Sequence, residues 1–196
     1  MTATPRSVWA GSRTHLRAFT LADADVYSAW NQDSDQARAI WEIPWPRSPE
    51  GDRRWAEAES ERGASGDNIR LVIADGTDQA IGDITTHDCD SRVGTFSYGV
   101  SIAAAHRRQG YAAEALGLLF RYMFEERRYQ RAWVIIDGFN AASVALHEQM
   151  GFTQEGRLRR ATYTQGEYHD QYVFGLLREE WEAHRAAADG SEYGPE

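Results

Sequence analysis

The sequence predicts an α/β fold of the α+β type, with a mixed, mostly antiparallel central sheet of about seven strands flanked by helices. Three observations support this prediction. Alternating runs meet at Asp75-Gly76 and at Gln165-Gly166, which is typical of antiparallel hairpins. A β-favouring run at 96–102 leads through a glycine-containing turn into 112–123, where apolar residues recur at helical spacing. No internal repeat is present, so the strands and helices belong to one unit.

The first third of the chain alternates between strand and helix signals. Residues 15–19 alternate as a short strand, and Asp23 caps a helix that reaches about Gln32. Two prolines at 44 and 46 forbid regular helix, whereas Ser48-Pro49 starts a helix that ends near Gly63. The remaining predicted strands are 69–74, 80–86, 93–102, 131–138, 152–164 and 168–177, and the remaining helices are those after the glycine turn, 141–150 and 178 to about 188.

Length and composition indicate one globular domain. The chain has 196 residues, of which 42% are hydrophobic and 12% aromatic, enough to form a core. We expect an N-terminal tail at 1–13, a single domain at 14–186 and a disordered acidic tail at 187–196. Cys89 is the only cysteine, so an internal disulfide is excluded.

Charge and hydropathy restrict the partners. The formal net charge of −9 argues against non-specific binding of nucleic acid, which depends on neutralising phosphates. An acidic surface suits cationic acceptors such as amines. No leader-like segment or long apolar run is present, so we expect a cytoplasmic protein that does not bind a membrane.

The turn before the central helix has the features of a phosphate site. Arg107, Arg108 and Gly110 lie between a strand and a helix. First-turn N–H groups of a helix lack intrahelical partners and lie at the positive end of the helix dipole. A P-loop is excluded because the chain contains no lysine, and repeated parallel βαβ units for a dinucleotide site are not evident. The turn is therefore predicted to bind a pyrophosphate.

Two motifs resemble the GCN5-related N-acetyltransferases. Arg107-x-x-Gly110-x-Ala112 resembles their pyrophosphate motif, and residues 140–156, from Asn140 through Gly151-Phe152, resemble their second acetyl-CoA motif. With Gly-Tyr-Ala-Ala-Glu-Ala and Tyr168-His-Asp, the resemblance is to the branch of ribosomal-protein N-terminal and spermidine acetyltransferases, and it covers about residues 14–182.

The resemblance implies that acetyl-CoA binds where two neighbouring parallel strands, 96–102 and 133–138, splay apart. An interior glycine at position 99 fits a close backbone approach there, although a simple kink is an equal alternative. The implied cofactor-binding residues are Val100, Ile102, Arg107, Arg108, Gln109, Gly110, Tyr111, Ala112, Ala113, Asn140 and Ser143.

Two residues compete as proton donor to the departing thiolate. His147 stands where many relatives have a catalytic Tyr, and Asn140, Ser143 and His147 share one helical face. An imidazole titrates near neutrality and can act as the acid. Ser143 matches a serine to which the ribosomal-protein branch assigns a related role. A third interpretation, in which His147 is buried and chemically idle, stays open.

The general base is not fixed by the sequence. The resemblance places Thr95 where many relatives carry a strand Glu, and Thr162 where the ribosomal-protein branch has one. An ordered water is an alternative to the remaining candidates, which are Glu42, Asp83, His87, Asp88 and Asp170. We expect no metal, because the adjacent residues of His87-Asp-Cys-Asp alternate faces on a strand.

Five of the seven tryptophans fall in the first third of the chain, and they include Trp30 and Trp55, predicted as core anchors. The loop Trp41-Glu42-x-Pro-Trp45 resembles the acidic-aromatic loop of spermidine acetyltransferases. Aromatic faces attract cations and a carboxylate pairs with an ammonium. We therefore expect Trp41, Glu42, Trp45 and His87 to bind the acceptor.

These patterns predict an acetyl-CoA-dependent N-acetyltransferase that transfers an acetyl group directly, in a ternary complex, to a primary amine. A protein N-terminus, a polyamine and an aminated small molecule all remain as acceptors, and a homodimer remains open. The alternatives are transfer of another acyl group such as succinyl, or a catalytically inactive acyl-CoA-binding sensor or partner protein.

Overall fold

The computed structural model describes residues 7–40 and 43–191. In that part of the chain, seven strands form a single sheet in the order β1-β2-β3-β4-β5-β7-β6. The strands are β1 (Thr14–Arg17), β2 (Arg70–Asp75), β3 (Ala80–Asp90), β4 (Thr95–Ile102), β5 (Arg131–Asp137), β6 (Thr153–Thr164) and β7 (Glu167–Leu177). The helices are α1 (Ala24–Gln32), α2 (Ser34–Ile40), α3 (Pro49–Ser60), α4 (Tyr111–Arg121), α5 (Ala141–Gln149) and α6 (Arg178–Ser191).

The strand directions confirm the predicted mixed sheet. All neighbouring strands pair antiparallel except β4 and β5, which are parallel. This pair is joined only from Thr95↔Arg131 to Ser97↔Trp133, after which the strands are no longer paired. β4 keeps its ladder with β3 up to Ile102, so its other edge alone is left open. The sheet therefore contains the splayed parallel pair that the sequence motifs implied.

Two clusters of buried side chains hold the helices on the sheet. Val72 packs in the smaller cluster with Tyr27 of α1 and Ala56 of α3, whereas the next residue, Ile73, packs in the larger cluster with α4. Successive strand residues point to opposite faces, so α1 and α3 cover one face and α4 the other. Full burial of such apolar side chains contributes about 1.5–3 kcal/mol each. None of the helices in the described residues has the length and apolarity needed to span a bilayer.

The N-terminal segment differs from the expected tail. Within residues 7–13, the backbone N–H groups of Ser12 and Arg13 donate to Glu114 Oε1 of α4 at 2.5 and 2.9 Å. Trp9 packs against Tyr122, with ring centroids 4.3 Å apart. A carboxylate at the start of α4 thus binds this segment to the domain. Residues 1–6 and 192–196 lie outside the described residues.

Helix α2 was not anticipated from the sequence. Asp33 Oδ1 accepts the backbone N–H groups of Asp35 and Gln36, both at 3.0 Å, which is a helix N-cap. The helix has few apolar residues and so lacks a strong amphipathic signal. Smaller differences from prediction are the extension of β3 to Asp90 and of the terminal helix to Ser191.

Candidate active site

A cleft of about 880 Å³ opens where β4 and β5 separate. Its walls are the end of β4, the turn before α4, the first turns of α5, and α2. Ten of the eleven residues expected to bind the cofactor line it, namely Val100, Ile102, Arg107, Arg108, Gly110, Tyr111, Ala112, Ala113, Asn140 and Ser143. Gln109 is not among its walls: its carbonyl accepts a hydrogen bond from Arg13 Nη1 at 2.7 Å. The motifs on two distant parts of the chain therefore meet in one cleft.

The turn before α4 has the geometry expected of an anion site. Gly110 is the N-cap residue in the left-handed region with φ 81°, and α4 begins at Tyr111. A Cβ on Gly110 would come within 2.8 Å of Arg13 Nη2. The backbone conformation therefore favours glycine here, whereas the flexible end of the Arg13 side chain could move away from a Cβ. Arg108, exposed and lining the cleft, adds positive charge beside the free N–H groups of α4.

Arg107 is exposed, yet it also supports the end of β4. Its Nε donates to the carbonyl of Ile102 at 3.0 Å, and its Nη2 lies 3.5 Å from Gln36 Oε1. The guanidinium therefore fixes the end of β4 and connects it to α2. The sequence motif indicated its place in the loop but not this contact.

Asn140 and α2 are connected across the cleft. The Asn140 side-chain oxygen accepts the Ser143 N–H at 3.1 Å and so caps α5. Its Nδ2 donates to the carbonyl of Ala39 at 3.1 Å. On the other wall, Gln36 Nε2 lies 3.4 Å from Ser101 Oγ. Helix α2 thus bridges β4 and α5 above the point where the strands part.

His147 lies in the core, which corrects the expectation that it faces the cleft. It is 1% exposed, and its ring stacks on Tyr98 and meets Phe152 edge-on, with centroids 5.9 and 5.1 Å away. Nδ1 donates to the carbonyl of Ser143 at 2.7 Å, because a carbonyl can only accept. Burial lowers the pKa of His147 and keeps the ring neutral, while the Ser143 hydrogen bond opposes this. The buried interpretation is therefore the one that the geometry supports.

Ser143 occupies the position between the cleft and the core. It lines the cleft, and its hydroxyl lies 3.4 Å from His147 Nδ1. The four-residue step from Ser143 to His147 turns the helix by about 40°, enough to carry the side chain from the cleft into the core. Of the two predicted donors, only Ser143 lines the cleft.

Of the four residues expected to bind the acceptor, only Trp45 and His87 belong to the described part of the chain. Trp41 and Glu42 lie outside the described residues. Trp45 is 91% exposed, and His87 pairs with Asp88 and lies opposite Ser97, where β4 and β5 are still joined. Neither Trp45 nor His87 lines the cleft.

The base candidates are also separated by the fold. Asp170 accepts the Arg160 backbone N–H at 2.7 Å and pairs with Arg157 on the exposed hairpin. Thr95, at the first residue of β4, is six residues from Ser101, or roughly 20 Å along the strand. Asp83 on β3, by contrast, lines a second cavity beside the cleft.

The second cavity, of about 250 Å³, is walled by aromatic side chains that include Trp30 and Trp55, which the sequence suggested only as core anchors. Its aromatic lining is Tyr27, Trp30 and Trp55, and its charged lining is Asp83 with Arg47 and Arg70. Gln36, Ile40 and Ser101 line both this aromatic cavity and the cleft. The two spaces therefore adjoin at Ser101.

Comparison with known proteins identifies the class. The family model described as "Acetyltransferase (GNAT) domain" matches residues 13–153. The chain therefore belongs to the GNAT family of acetyltransferases, which use acetyl-CoA, as the motifs indicated.

Individual relatives agree with this assignment. The prophage-derived N-acetyltransferase YokL of Bacillus subtilis is 33% identical over 174 residues, which cover 89% of this chain and 95% of YokL. YdaF of the same strain, a ribosomal N-acetyltransferase by name, is 32% identical over 104 residues, covering 53% of this chain and 57% of YdaF. A spermidine N-acetyltransferase from Vibrio cholerae, solved with CoA and spermine, superimposes with a TM-score of 0.76 at 20% identity, covering 88% of this chain and 99% of that one. The last comparison shows the fold alone.

Proposed function

We propose that this GNAT enzyme binds acetyl-CoA in the cleft between β4 and β5 and transfers the acetyl group directly to a primary amine held next to it. The observation that carries the proposal is the junction at Ser101, where the cleft and the aromatic cavity meet. An amine in the cavity and a thioester in the cleft would lie side by side. Such positioning removes much of the entropic barrier to a bimolecular reaction.

The residues present fit acetyl-CoA. The left-handed Gly110 leaves room for a pyrophosphate at the start of α4, with Arg108 beside it. The edge of β4 from Val100 to Ile102, which is not paired with β5, offers backbone groups to the amides of the pantetheine arm, apart from the Ile102 carbonyl that accepts from Arg107 Nε. When bound, acetyl-CoA supplies the electrophilic carbonyl and a thiolate leaving group.

We assign Ser143 as the proton donor to the leaving thiolate. Its hydroxyl lines the cleft in the first turn of α5, where the positive end of the helix dipole favours developing negative charge. The proton that reaches sulfur is one released by the amine nitrogen as the amide forms, passed through the Ser143 hydroxyl. His147 acts as a positioning residue, because its Nδ1 is committed to the Ser143 carbonyl.

Calorimetric titration with acetyl-CoA tests the cofactor site. Arg108→Ala removes a charge beside the pyrophosphate and is expected to weaken binding about tenfold, since a hydrogen bond to a charged group contributes roughly 1.5–3 kcal/mol. Arg92→Ala, on the turn between β3 and β4, is the matched control and leaves affinity unchanged. Failure of the wild type to bind, or equal affinities of both variants, would refute the assignment.

Thiol release with a panel of amines tests the reaction. The panel contains a small alkylamine, spermidine and a peptide with a free N-terminus, each offered with acetyl-CoA and with succinyl-CoA. Thiol release that depends on the amine, and is faster from acetyl-CoA, is the expected result. Faster release from succinyl-CoA would reassign the donor, and cofactor binding without release would indicate a binding protein.

A further inference from the structure

We infer that the aromatic cavity is the acceptor site for a compact primary amine, and that Asp83 binds its ammonium group and takes the proton that must leave before acyl transfer. This inference rests on the proposed function. It assigns the base that the sequence left undetermined and gives the acceptor a size and a charge.

Asp83 lies at the correct place in the sheet. It is directly opposite Ser101 in the antiparallel ladder of β3 and β4. Side chains of opposed residues have Cβ atoms about 4.5–5.5 Å apart. Ser101 in turn lies between Val100 and Ile102, on the edge of β4 that faces the cleft. An amine bound at Asp83 is therefore one strand away from the proposed path of the acyl-bearing arm.

The partly buried charges around Asp83 include only one cation, Arg70, that is itself partly shielded from solvent. Arg70 is shared by two carboxylates, with Nε 3.1 Å from Glu59 Oε1 and Nη1 2.5 Å from Asp83 Oδ2. Glu59 also meets Arg62, whose side chain is 63% exposed and contributes little in water. The cluster of Glu59, Asp83 and Arg70 thus carries one excess negative charge when both acids are ionised. Buried charges are stable only when compensated, and an ammonium would compensate this one.

The other ionisable groups of the cavity do not supply that cation. Arg47 is paired with Asp52 at 3.0 Å, and Ser28 donates to the other oxygen of Asp52. Tyr27 is buried and its hydroxyl has no hydrogen-bond partner among the described residues. Burial raises the pKa of Asp83 and Glu59 adds to this, while Arg70 opposes it. A carboxylate with a raised pKa is a stronger base for an ammonium.

The aromatic walls and the volume restrict the ligand. The Arg47 guanidinium already lies over the Trp55 ring at 5.2 Å, which shows that these faces accept a cation. A volume of about 250 Å³ holds on the order of eight water-sized groups at roughly 30 Å³ each. The cavity therefore suits a single ammonium on a short apolar body, because Asp83 is the only carboxylate among the described residues that line it.

The proton balance of the step is simple. The substrate ammonium gives one proton to the Asp83 carboxylate, which leaves a neutral amine with a free electron pair. That pair forms the new C–N bond while the C–S bond breaks, and the second nitrogen proton passes to sulfur. Asp83 then returns its proton to solvent.

The test compares Asp83→Asn with Asp88→Asn. Asp88 is an exposed carboxylate on the same strand, and although the sequence offered it as a candidate base, it pairs with His87 and lines neither the cleft nor the cavity. With n-butylamine as probe, Asp83→Asn is expected to lower kcat/KM about 10²–10⁴-fold at pH 7, the range for loss of a general base, with unchanged acetyl-CoA affinity. Asp88→Asn should resemble the wild type.

The pH profile separates catalysis from structure. Without the base, the variant depends on amine that is already neutral. The neutral fraction of the amine rises tenfold per pH unit at pH values below the amine pKa, which is about 10.4. The deficit of Asp83→Asn should therefore shrink as pH rises toward 10. A deficit that is the same at every pH would overturn the role of Asp83.

A second variant tests the cavity without touching its charges. Ala37→Leu, from the wall formed by α2, reduces the space and should raise the KM for n-butylamine while leaving acetyl-CoA affinity unchanged. This inference would be overturned, and the proposed function left intact, if the enzyme turned over spermidine or the peptide faster than n-butylamine and if Asp83→Asn and Asp88→Asn had equal kcat/KM. If the wild type fails to bind acetyl-CoA, or binds it but turns over no amine, the proposed function itself is refuted, and this inference with it.

Discussion

Replacing His147 with Gln should change how stability depends on pH. His147 is 1% exposed and neutral in the fold, and burial lowers its pKa from the ordinary value of 6.5. Below pH 6.5 the unfolded chain binds a proton that the folded chain excludes. The free energy of unfolding therefore falls as pH falls, and the stability that the buried neutral ring provides is fully present only above pH 6.5.

The magnitude follows from the linkage relation. The slope is at most about 1.4 kcal/mol per pH unit for one group, and integration from pH 7.5 to 5.5 gives a loss of at most about 1.4 kcal/mol, reached when the folded ring takes up no proton in that range. For a domain of this length that loss lowers Tm by about 3–6 °C. At pH 7.5 the Gln variant should be about 1–3 kcal/mol less stable than wild type, because the packing on Tyr98 and Phe152 is lost.

Calorimetric Tm values of both proteins at the two pH values provide the assay. The stability gap should be smaller at pH 5.5, because only the wild type loses the contribution of the histidine. Other titrating groups, including Asp83, are common to both proteins and cancel in the difference. A gap of equal size at both pH values would refute the reasoning, and an unchanged Tm with kcat lowered 10²–10⁴-fold would restore His147 as the proton donor.

Two further predictions concern Ser143 and Glu114. Ser143→Ala should lower kcat about 10²–10³-fold at unchanged acetyl-CoA affinity, because one donor to a developing anion is lost. Ser143→Thr keeps a hydroxyl and should retain more activity. Steady-state kinetics measure both variants, and an unchanged kcat in the Ala variant would contradict the prediction. Burial alone would raise the pKa of Glu114, but the hydrogen bonds from Arg13 and Ser12 prevail and lower it below 4.5, so its contribution is present above that pH and is lost as pH falls. Glu114→Gln should therefore cost about 1–3 kcal/mol at pH 7 and less near pH 4, as followed by Tm, and a cost independent of pH would be inconsistent with this role.

The turn before α4 and the cleft that it lines could be predicted because their determinants are local. A glycine in the left-handed region, a helix start and two arginines lie within a few residues, and their geometry follows from the chain itself. The hairpin about Gln165-Gly166 is local in the same sense, since both residues adopt positive φ. Such features depend little on the rest of the fold.

The sequence could not show in this way which side chains of α5 face the cleft and which face the core. Helical spacing correctly placed Ser143 near His147, but the boundary between cleft and core falls between them. Only the packing of Tyr98 and Phe152, far apart in sequence, determines which side of that boundary is buried.

Helix α2 and the aromatic cavity also depend on distant contacts. Asp33 was a readable N-cap signal, but the helix is held by Gln36 and Ala39 touching β4 and α5. Trp30 and Trp55 pack against the core and line the cavity at once, so the core-anchor interpretation was incomplete.

The end of β4, where it parts from β5, also divides the sequence between residues of the aromatic cavity and residues of the turn before α4. Every residue that lines the aromatic cavity precedes Ile102, whereas the anion-binding turn and the α5 cap follow it. On the proposed assignment, selectivity for the acceptor and affinity for the cofactor are therefore encoded in consecutive halves of the gene. Substitutions in the first half that spare the α2 contacts to Arg107 and Asn140 can alter which amine is modified without disturbing the second. Evolution could thus diversify the substrates of this scaffold by changing one contiguous stretch of sequence.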